Sequence, residues 1–136
     1  MTPDRARFAS AAEALVGTPF RFRGRDRETG FDCVGLVLAA LAEIGRPARG
    51  LTGHSMRHSS LAGHAGAAPA DGFEPAAGPI ELGDLVLARP GPAQVHLLIA
   101  ATAGGFVHAH AGLGRVVLTP PPCPWPIERH WRLAAD

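Results

Sequence analysis

The chain has 136 residues, enough for one domain with a single hydrophobic core and too few for a second enzymatic domain. Its 13 basic and 12 acidic side chains give a formal net charge of +1, and the dense basic stretch at residues 21–27 is interrupted by Asp26, so the charge pattern argues against nucleic-acid binding. Two cysteines are too few for a disulfide framework and lack the paired spacing of a structural zinc site.

The N-terminal segment, Met1–Gly17, carries Asp4 and Glu13 among its apolar residues and does not have the pattern of a secretory signal. The longest apolar run, Val34–Ala42, is too short to cross a bilayer. We therefore expect a chain that is synthesised in the cytoplasm without a signal peptide and has no membrane span.

The first predicted helix begins after Thr2, a good N-cap residue, with Pro3 in its first turn. Gly17 ends this helix, and residues 17–32, rich in Gly and Arg, are predicted to form a loop that returns the chain to the core. The apolar residues at helical spacing are Phe8, Ala11, Ala12, Leu15 and Val16.

The second predicted helix begins at Cys33, with Asp32 at the N-cap position, and stops at Gly45. Its apolar stripe consists of Val34, Val37, Leu38, Leu41 and Ile44. Residues 47–80 show no clear periodicity and are predicted to form a long variable loop or a lid over the substrate.

The strand signals all follow Pro79 and are separated by Gly or Pro turns. They cover Asp84–Ala88, Val95–Ala101, Gly105–His108 and Arg115–Leu118, with His130–Leu133 as an additional edge strand. Helices followed by consecutive strands indicate an α+β fold with an antiparallel sheet. We expect residues 1–136 to form one such domain, with the helix of Cys33 packed on the sheet.

Cys33 is the candidate nucleophile, because the free amides and the dipole at a helix N-terminus favour a thiolate and lower a thiol's pKa. The alternative is a packing role, since free cysteine is among the most buried residue types. His96 and His108 each stand amid apolar residues in neighbouring predicted strands. A buried imidazole needs a polar partner, and adjacent antiparallel strands can bring these two rings together.

A thiol, a base and a group that orients the base form the minimum set for acyl transfer. Cys33, His96 and His108 supply this set. As a neutral ring, His108 can accept a hydrogen bond from His96 and so fix the tautomer that faces the thiol. His110 lies on the same strand face and can substitute for His108.

Five motifs carry a family resemblance, and in chain order they are GTPFRFRG, FDCVGLV, ELGDLVLA, VHLLIA and GGFVHA. The sequence is similar to the NlpC-type (NlpC and p-sixty) cell-wall cysteine peptidases, especially their phage-tail and gene-transfer-agent branch. The resemblance runs from about Ala11 to Leu133, with residues 47–80 unmatched in detail.

The resemblance implies a papain-like α+β fold that hydrolyses peptide amides in peptidoglycan stem peptides, commonly the bond between D-glutamate and a diamino acid. It makes Cys33 the nucleophile, His96 the base and His108 its orienting group, and it needs no cofactor. The expected partners are a stem peptide or muropeptide and, for delivery, the proteins of a phage-tail-like particle; release at lysis is the other route to the cell wall.

Four residues are predicted to face the substrate: Asp32, Phe20, Val34 and His110. The resemblance assigns Asp32 to the substrate's amine, which is compatible with a helix N-cap. Phe20 stands where the family usually has a tyrosine whose hydroxyl lines the oxyanion site, so that donor is absent. Val34 replaces a common serine, which removes a polar contact near the substrate's amine end.

Two other functions compete with a thiol hydrolase. His96, His108 and His110 are a candidate zinc set for a metal hydrolase, whereas His54, His58 and His64 are expected to be solvated loop residues. A non-catalytic phage-tail or wall-peptide-binding module of the same fold is the second alternative. The proline-rich stretch around Cys123 and Trp125 is predicted to be a strap over the sheet or a docking edge, with Cys123 an inert surface thiol.

Overall fold

The computed structural model describes residues 3–46, 72–92 and 94–134. The helices in these ranges are α1 (Pro3–Ala14) and α2 (Cys33–Glu43), and the strands are β1 (Arg25–Asp26), β2 (Gly30–Phe31), β3 (Phe73–Pro75), β4 (Leu85–Gly91), β5 (Gln94–Ala100), β6 (Phe106–His110), β7 (Arg115–Thr119) and β8 (Ile127–Leu133). None of the helices within these ranges has the length and apolarity needed to cross a membrane.

The larger sheet has six strands in the order β3-β8-β4-β5-β6-β7, and all neighbouring strands are antiparallel. Strands β1 and β2 form a separate short hairpin in the segment predicted to be a loop. Two helices with an antiparallel sheet confirm the α+β prediction.

The two faces of this sheet have different coverings, because side chains alternate along a strand. On one face, odd-numbered residues of β4 and β5 share a core with α1 and α2, and burying each of their large aliphatic side chains contributes about 1.5–3 kcal/mol. On the other face, Val86, Leu98 and Phe106 pack against Cys123 and Trp125. We call residues 120–126 the proline-rich strap; it covers the sheet, and Cys123 is half-buried rather than at the surface.

The strand order corrects two expectations. Strand β8 spans Ile127–Leu133 and lies between β3 and β4, so the prediction of an edge strand at His130–Leu133 is wrong. The edge is formed by β3, Phe73–Pro75, within the segment predicted to be a loop, and proline is tolerated there because an edge strand has free backbone positions. Residues 47–71 and the predicted N-cap Thr2 lie outside the described ranges. The lid and the single-domain boundaries therefore stay predictions.

A buried ion pair joins β4 to β8 at the end of the sheet distant from the β4–β5 turn. The Asp84 carboxylate is fully buried and accepts hydrogen bonds from Nε and Nη2 of Arg132, both at 2.8 Å. The backbone N–H of Glu81 also donates to this carboxylate, at 2.9 Å. Losing one partner of such a pair leaves a desolvated charge, so the contact fixes how these strands are aligned.

Candidate active site

A cleft of about 380 Å³ opens where β5 and β6 separate. Strands β5 and β6 pair with each other only at Ile99–Val107 and Ala100–Phe106, so His96 and His110 face a gap between these two strands while they pair with β4 and β7 on their other sides. The cleft is lined by Phe20, Phe22, Asp32, Cys33, Pro90, Gln94, Val95, His96, Ala109, His110, Ala111, Gly112 and Trp125. The first residue of α2, His96 of β5 and His110 of β6 therefore line the same cleft.

Cys33 is the first residue of α2, as the sequence predicts. The helix begins here because Asp32 has an extended backbone and its side chain accepts a hydrogen bond from the N–H of Gly35, at 2.8 Å. The Cys33 side chain borders the cleft, yet the residue is only 3% exposed. Its sulfur is therefore presented at the wall of the cleft with little access to water.

The state of the Cys33 thiol differs from the expectation. Burial raises its pKa to about 12, and the negative charge of Asp32 acts in the same direction. The backbone N–H of Leu97 opposes this change, since it stabilises the thiolate, but burial dominates. The expectation of a lowered pKa at the helix N-terminus is therefore wrong for the resting protein, because desolvation of the sulfur outweighs the helix amides. Cys33 is a neutral thiol at neutral pH.

This neutral state predicts how Cys33 reacts with iodoacetamide. Because alkylation requires the thiolate, we expect labelling to be slower at pH 7–8 than for a model thiol of pKa about 8.5, and still to accelerate above pH 10. Intact-mass and peptide mapping measure the rate at each pH, with Cys33→Ala identifying the label at Cys123. A labelling rate at Cys33 that levels off near pH 7 would contradict the prediction.

The structure brings His96 and His108 together, as predicted. Nε2 of His96 lies 3.0 Å from Nδ1 of His108, and the two rings meet edge to face with centroids 5.1 Å apart. Nδ1 of His96 is the ring nitrogen that this contact leaves unused. His108 is 1% exposed, and its Nε2 lies 2.8 Å from Oγ1 of Thr119, the last residue of β7. No pattern in the sequence had indicated a role for Thr119.

Both rings are neutral at pH 7. Burial lowers the pKa of His96 to about 3, with His108 and His110 adding repulsion of the protonated form. Burial lowers the pKa of His108 to about 4, and His110 acts in the same direction. A neutral His96 has one ring nitrogen free of hydrogen, so it can receive the thiol proton.

Asp32 has several partners already. Besides Gly35, its carboxylate accepts from Nη1 of Arg25 at 2.7 Å and from the backbone N–H of Arg23 at 3.1 Å. These contacts confirm the N-cap reading and tie the β1 hairpin to the start of α2. Asp32 also borders the cleft, and its contact with a substrate amine stays a prediction.

The other predicted substrate-facing residues separate into two groups. Phe20 and His110 line the cleft. Nδ1 of His110 accepts a hydrogen bond from the backbone N–H of Leu113, at 3.1 Å, so His108 rather than His110 takes the place next to His96. Val34 is 0% exposed within the core under the sheet, and a direct contact of this side chain with substrate is therefore ruled out.

The sequence profile of the NlpC/P60 family matches residues 17–125. The chain belongs to the NlpC/P60 family. This membership confirms the family resemblance and the papain-like fold, whereas the phage-tail branch stays a prediction. The comparison with curated proteins found no match.

Solved NlpC/P60 structures share the fold. NlpC2 of Trichomonas vaginalis is 20% identical, with a TM-score of 0.67 over 95% of this chain and 47% of that chain. The present chain thus spans about half the length of NlpC2. The NlpC/p60 domain of the peptidoglycan hydrolase SagA is 20% identical, with a TM-score of 0.63 over 95% of this chain and 98% of that chain. The peptidoglycan hydrolase RipB of Mycobacterium tuberculosis is 22% identical, with a TM-score of 0.57 over 94% of this chain and 63% of that chain.

Trp125 is a further member of this NlpC/P60 site, whereas its sequence pattern predicted only a strap over the sheet or a docking edge. Its ring meets His96 at 5.3 Å and His108 at 5.5 Å between centroids, in both cases close to perpendicular. The indole therefore shields the hydrogen bond between the histidines and contributes to their burial. In the sequence, Trp125 is flanked by two prolines. This pattern does not indicate which residues the indole covers.

The metal alternative concerns the same histidines. Among residues 3–46, 72–92 and 94–134, no group of three His, Cys, Asp or Glu side chains is arranged to hold a metal ion. Nε2 of His96 faces Nδ1 of His108, and Nδ1 of His110 faces a backbone amide. The three rings therefore do not direct their nitrogens at one metal position. His54, His58 and His64 lie outside the described residues.

Proposed function

We propose that this chain is a cysteine hydrolase that cleaves amide bonds in peptidoglycan stem peptides. The observation that carries the proposal is the 3.0 Å contact between Nε2 of His96 and Nδ1 of His108, in a cleft that His96 shares with Cys33. This arrangement leaves Nδ1 of His96 as a base for the thiol. Support for the substrate class comes from SagA and RipB, which have the same fold and are peptidoglycan hydrolases.

In the proposed reaction, Nδ1 of His96 takes the proton from Cys33 as the sulfur attacks the carbonyl carbon of the scissile amide. The protonated His96 then gives this proton to the leaving amine as the C–N bond breaks, which leaves a thioester on Cys33. Water, deprotonated by His96, attacks the thioester, and the released sulfur regains its proton. The products are one amine and one carboxylic acid, and the net co-substrate is one water molecule.

The resting charge states fit this order of events. A neutral thiol and a neutral imidazole form no ion pair in advance, so the proton moves during the attack and not before it. The low pKa of His96 disfavours a long-lived imidazolium and promotes rapid return of the proton to the leaving amine. The same low pKa makes the first proton transfer more difficult, which is a reason to expect modest turnover.

The oxyanion that forms during attack needs hydrogen-bond donors. The backbone N–H of Cys33 lies in the first turn of α2, where amides lack intrahelical acceptors, and it supplies one donor. Phe20 borders the cleft without a hydroxyl group and supplies none. Since one missing donor commonly costs about 10²-fold or more in rate, this departure also points to slow chemistry.

The proposal includes the route to the substrate. We propose that the chain reaches the wall on a phage-tail-like particle or after lysis, with tail proteins as its partners. The support is the resemblance of the five motifs to the phage-tail branch.

The test uses purified peptidoglycan and defined muropeptides, with products separated by chromatography and identified by mass. We expect the wild-type protein to release peptide fragments that have gained one water and Cys33→Ala to release none. Cys123→Ala is the matched control, because this second cysteine lies outside the cleft lining, and it should retain activity. Equal activity of Cys33→Ala and wild type would overturn the thiol mechanism.

A second outcome would favour the non-catalytic alternative. If neither protein releases fragments but both sediment with peptidoglycan, the chain is a wall-peptide-binding module. The specific observation behind this alternative is the 3% exposure of Cys33 together with the absent hydroxyl at Phe20. Inactivity and retained sedimentation in both proteins would therefore overturn the hydrolase proposal.

A further inference from the structure

We propose that Thr119 is a positioning residue that sets the tautomers of both histidines and thereby leaves Nδ1 of His96 free to accept a proton. The inference rests on the proposed thiol mechanism. It starts from two contacts in series: His96 Nε2 to His108 Nδ1 at 3.0 Å, and His108 Nε2 to Thr119 Oγ1 at 2.8 Å.

Hydrogens can be arranged along this series in two ways. In the first arrangement, His108 donates from Nε2 to Thr119, His96 donates from Nε2 to His108, and Nδ1 of His96 keeps a lone pair. In the second arrangement, Thr119 donates to His108, His108 donates from Nδ1 to His96, and Nδ1 of His96 carries the hydrogen. Only the first arrangement gives Cys33 a base.

The neutral state of Cys33 favours the first arrangement. Cys33 and His96 line the same cleft, and a thiol that still carries its hydrogen is better matched there by an acceptor on His96 than by a second donor. Because the Thr119 hydroxyl can rotate, it can direct its own hydrogen away from the ring and accept from His108. A hydroxyl is thus suited to the end of this series.

The burial of His108 makes the Thr119 contact energetically important. His108 is 1% exposed and Trp125 covers its ring, so a water molecule cannot readily replace the threonine. A buried N–H without an acceptor costs about 1–3 kcal/mol. When the acceptor is removed, His108 is expected to avoid this cost by moving its hydrogen to Nδ1, which then forces the unproductive tautomer on His96.

The position of Thr119 in the fold explains how it reaches this ring. Thr119, the last residue of β7, pairs with Phe106 of β6. Phe106 lies two residues before His108, so the Thr119 side chain stands diagonally across from the His108 ring. The strap that carries Trp125 begins at the next residue. One connection from β7 to β8 therefore supplies both the hydroxyl beside the ring and the indole over it.

The experiment compares wild type with Thr119→Val, which keeps the shape of the side chain and removes the hydroxyl. We expect kcat on a muropeptide to fall by about 10- to 10²-fold with little change in KM, since a general base is worth about 10²–10⁴-fold and only its tautomer is disturbed. Thr119→Ser restores a hydroxyl and should return kcat to near the wild-type value. Thr102→Val is the matched control, because the Thr102 hydroxyl binds Glu13 at an exposed site.

Nitrogen NMR gives a readout that does not depend on turnover. Long-range 1H–15N spectra, assigned with His96→Gln and His108→Gln, should show hydrogen on Nε2 of both rings in wild type and on Nδ1 of both rings in Thr119→Val. Unchanged tautomers with reduced kcat, or an unchanged kcat, would overturn the inference. If the tautomers change as expected and wild type cleaves no muropeptide, the proposed function fails and the assignment of Thr119 as the residue that sets the tautomers stands.

Discussion

Replacing His96 with glutamine is expected to lower kcat by about 10²–10⁴-fold, the usual contribution of a positioned general base. Glutamine keeps a polar side chain on β5 but has no nitrogen that can take the thiol proton at Nδ1. The contact with Nδ1 of His108 can be kept by the glutamine amide, which limits rearrangement of the site. The measurement is the initial rate of muropeptide hydrolysis at saturating substrate.

His130→Gln provides the matched control for this experiment. His130 lies on β8 outside the cleft lining. Its Nε2 is buried, 3.8 Å from Asp84, and has no hydrogen bond to any residue that the structure describes. We expect this variant to retain wild-type turnover, since the ring does not touch the reacting atoms. The assignment of His96 as base would be refuted by equal activity of the two variants.

Gly35→Ala should destabilise the protein although alanine is the better helix former. In an ordinary helix this change contributes about 0.5–1 kcal/mol of stability. Here a Cβ on Gly35 would clash with the carbonyl oxygen of Gly24, so helix and loop must move apart. Overpacking of this kind costs about 1–3 kcal/mol, which outweighs the gain in helix propensity.

The same movement should also affect catalysis. The Gly24 carbonyl accepts from Nη1 of Arg25, which also donates to Asp32, and Asp32 caps the helix that carries Cys33. Displacing the loop therefore changes the position of the thiol, and we expect kcat to fall together with the free energy of unfolding.

Urea denaturation followed by circular dichroism measures the stability change, with Gly91→Ala as control. Among the described residues, a Cβ on Gly91 meets only the Gln94 side chain, at an ordinary 3.7 Å, so that variant should unfold near the wild-type urea concentration. A Gly35→Ala protein that is more stable than wild type would contradict the prediction, because it would show that the loop around Gly24 moves without loss of stability.

The start of α2 could be predicted from sequence because its signals are local. Asp32 is a strong N-cap residue, and an apolar stripe follows it directly, so the helix boundary and the place of Cys33 in the first turn required no knowledge of the rest of the fold. The approach of His96 to His108 followed from two polar residues in neighbouring apolar strands.

Other features depend on long-range contacts that a local pattern does not contain. Nothing near Ile127–Leu133 indicates that this strand pairs with both β3 and β4, so its central place was missed. The Cys33 pKa was predicted in the wrong direction because the helix N-terminus is visible in the sequence, whereas the degree of burial is not. Thr119 and Trp125 were missed as partners of the histidines for the same reason.

The position of β8 has a consequence for the order in which the protein matures. During synthesis, Cys33 and His96 emerge before Trp125 and before the strand that joins β3 to β4. A ribosome-bound chain that ends before residue 125 contains Cys33 and His96 but lacks the indole over the histidines and a central strand of the sheet. The cleft is therefore complete only once the strap has been synthesised, and the sheet only once β8 has paired with β3 and β4.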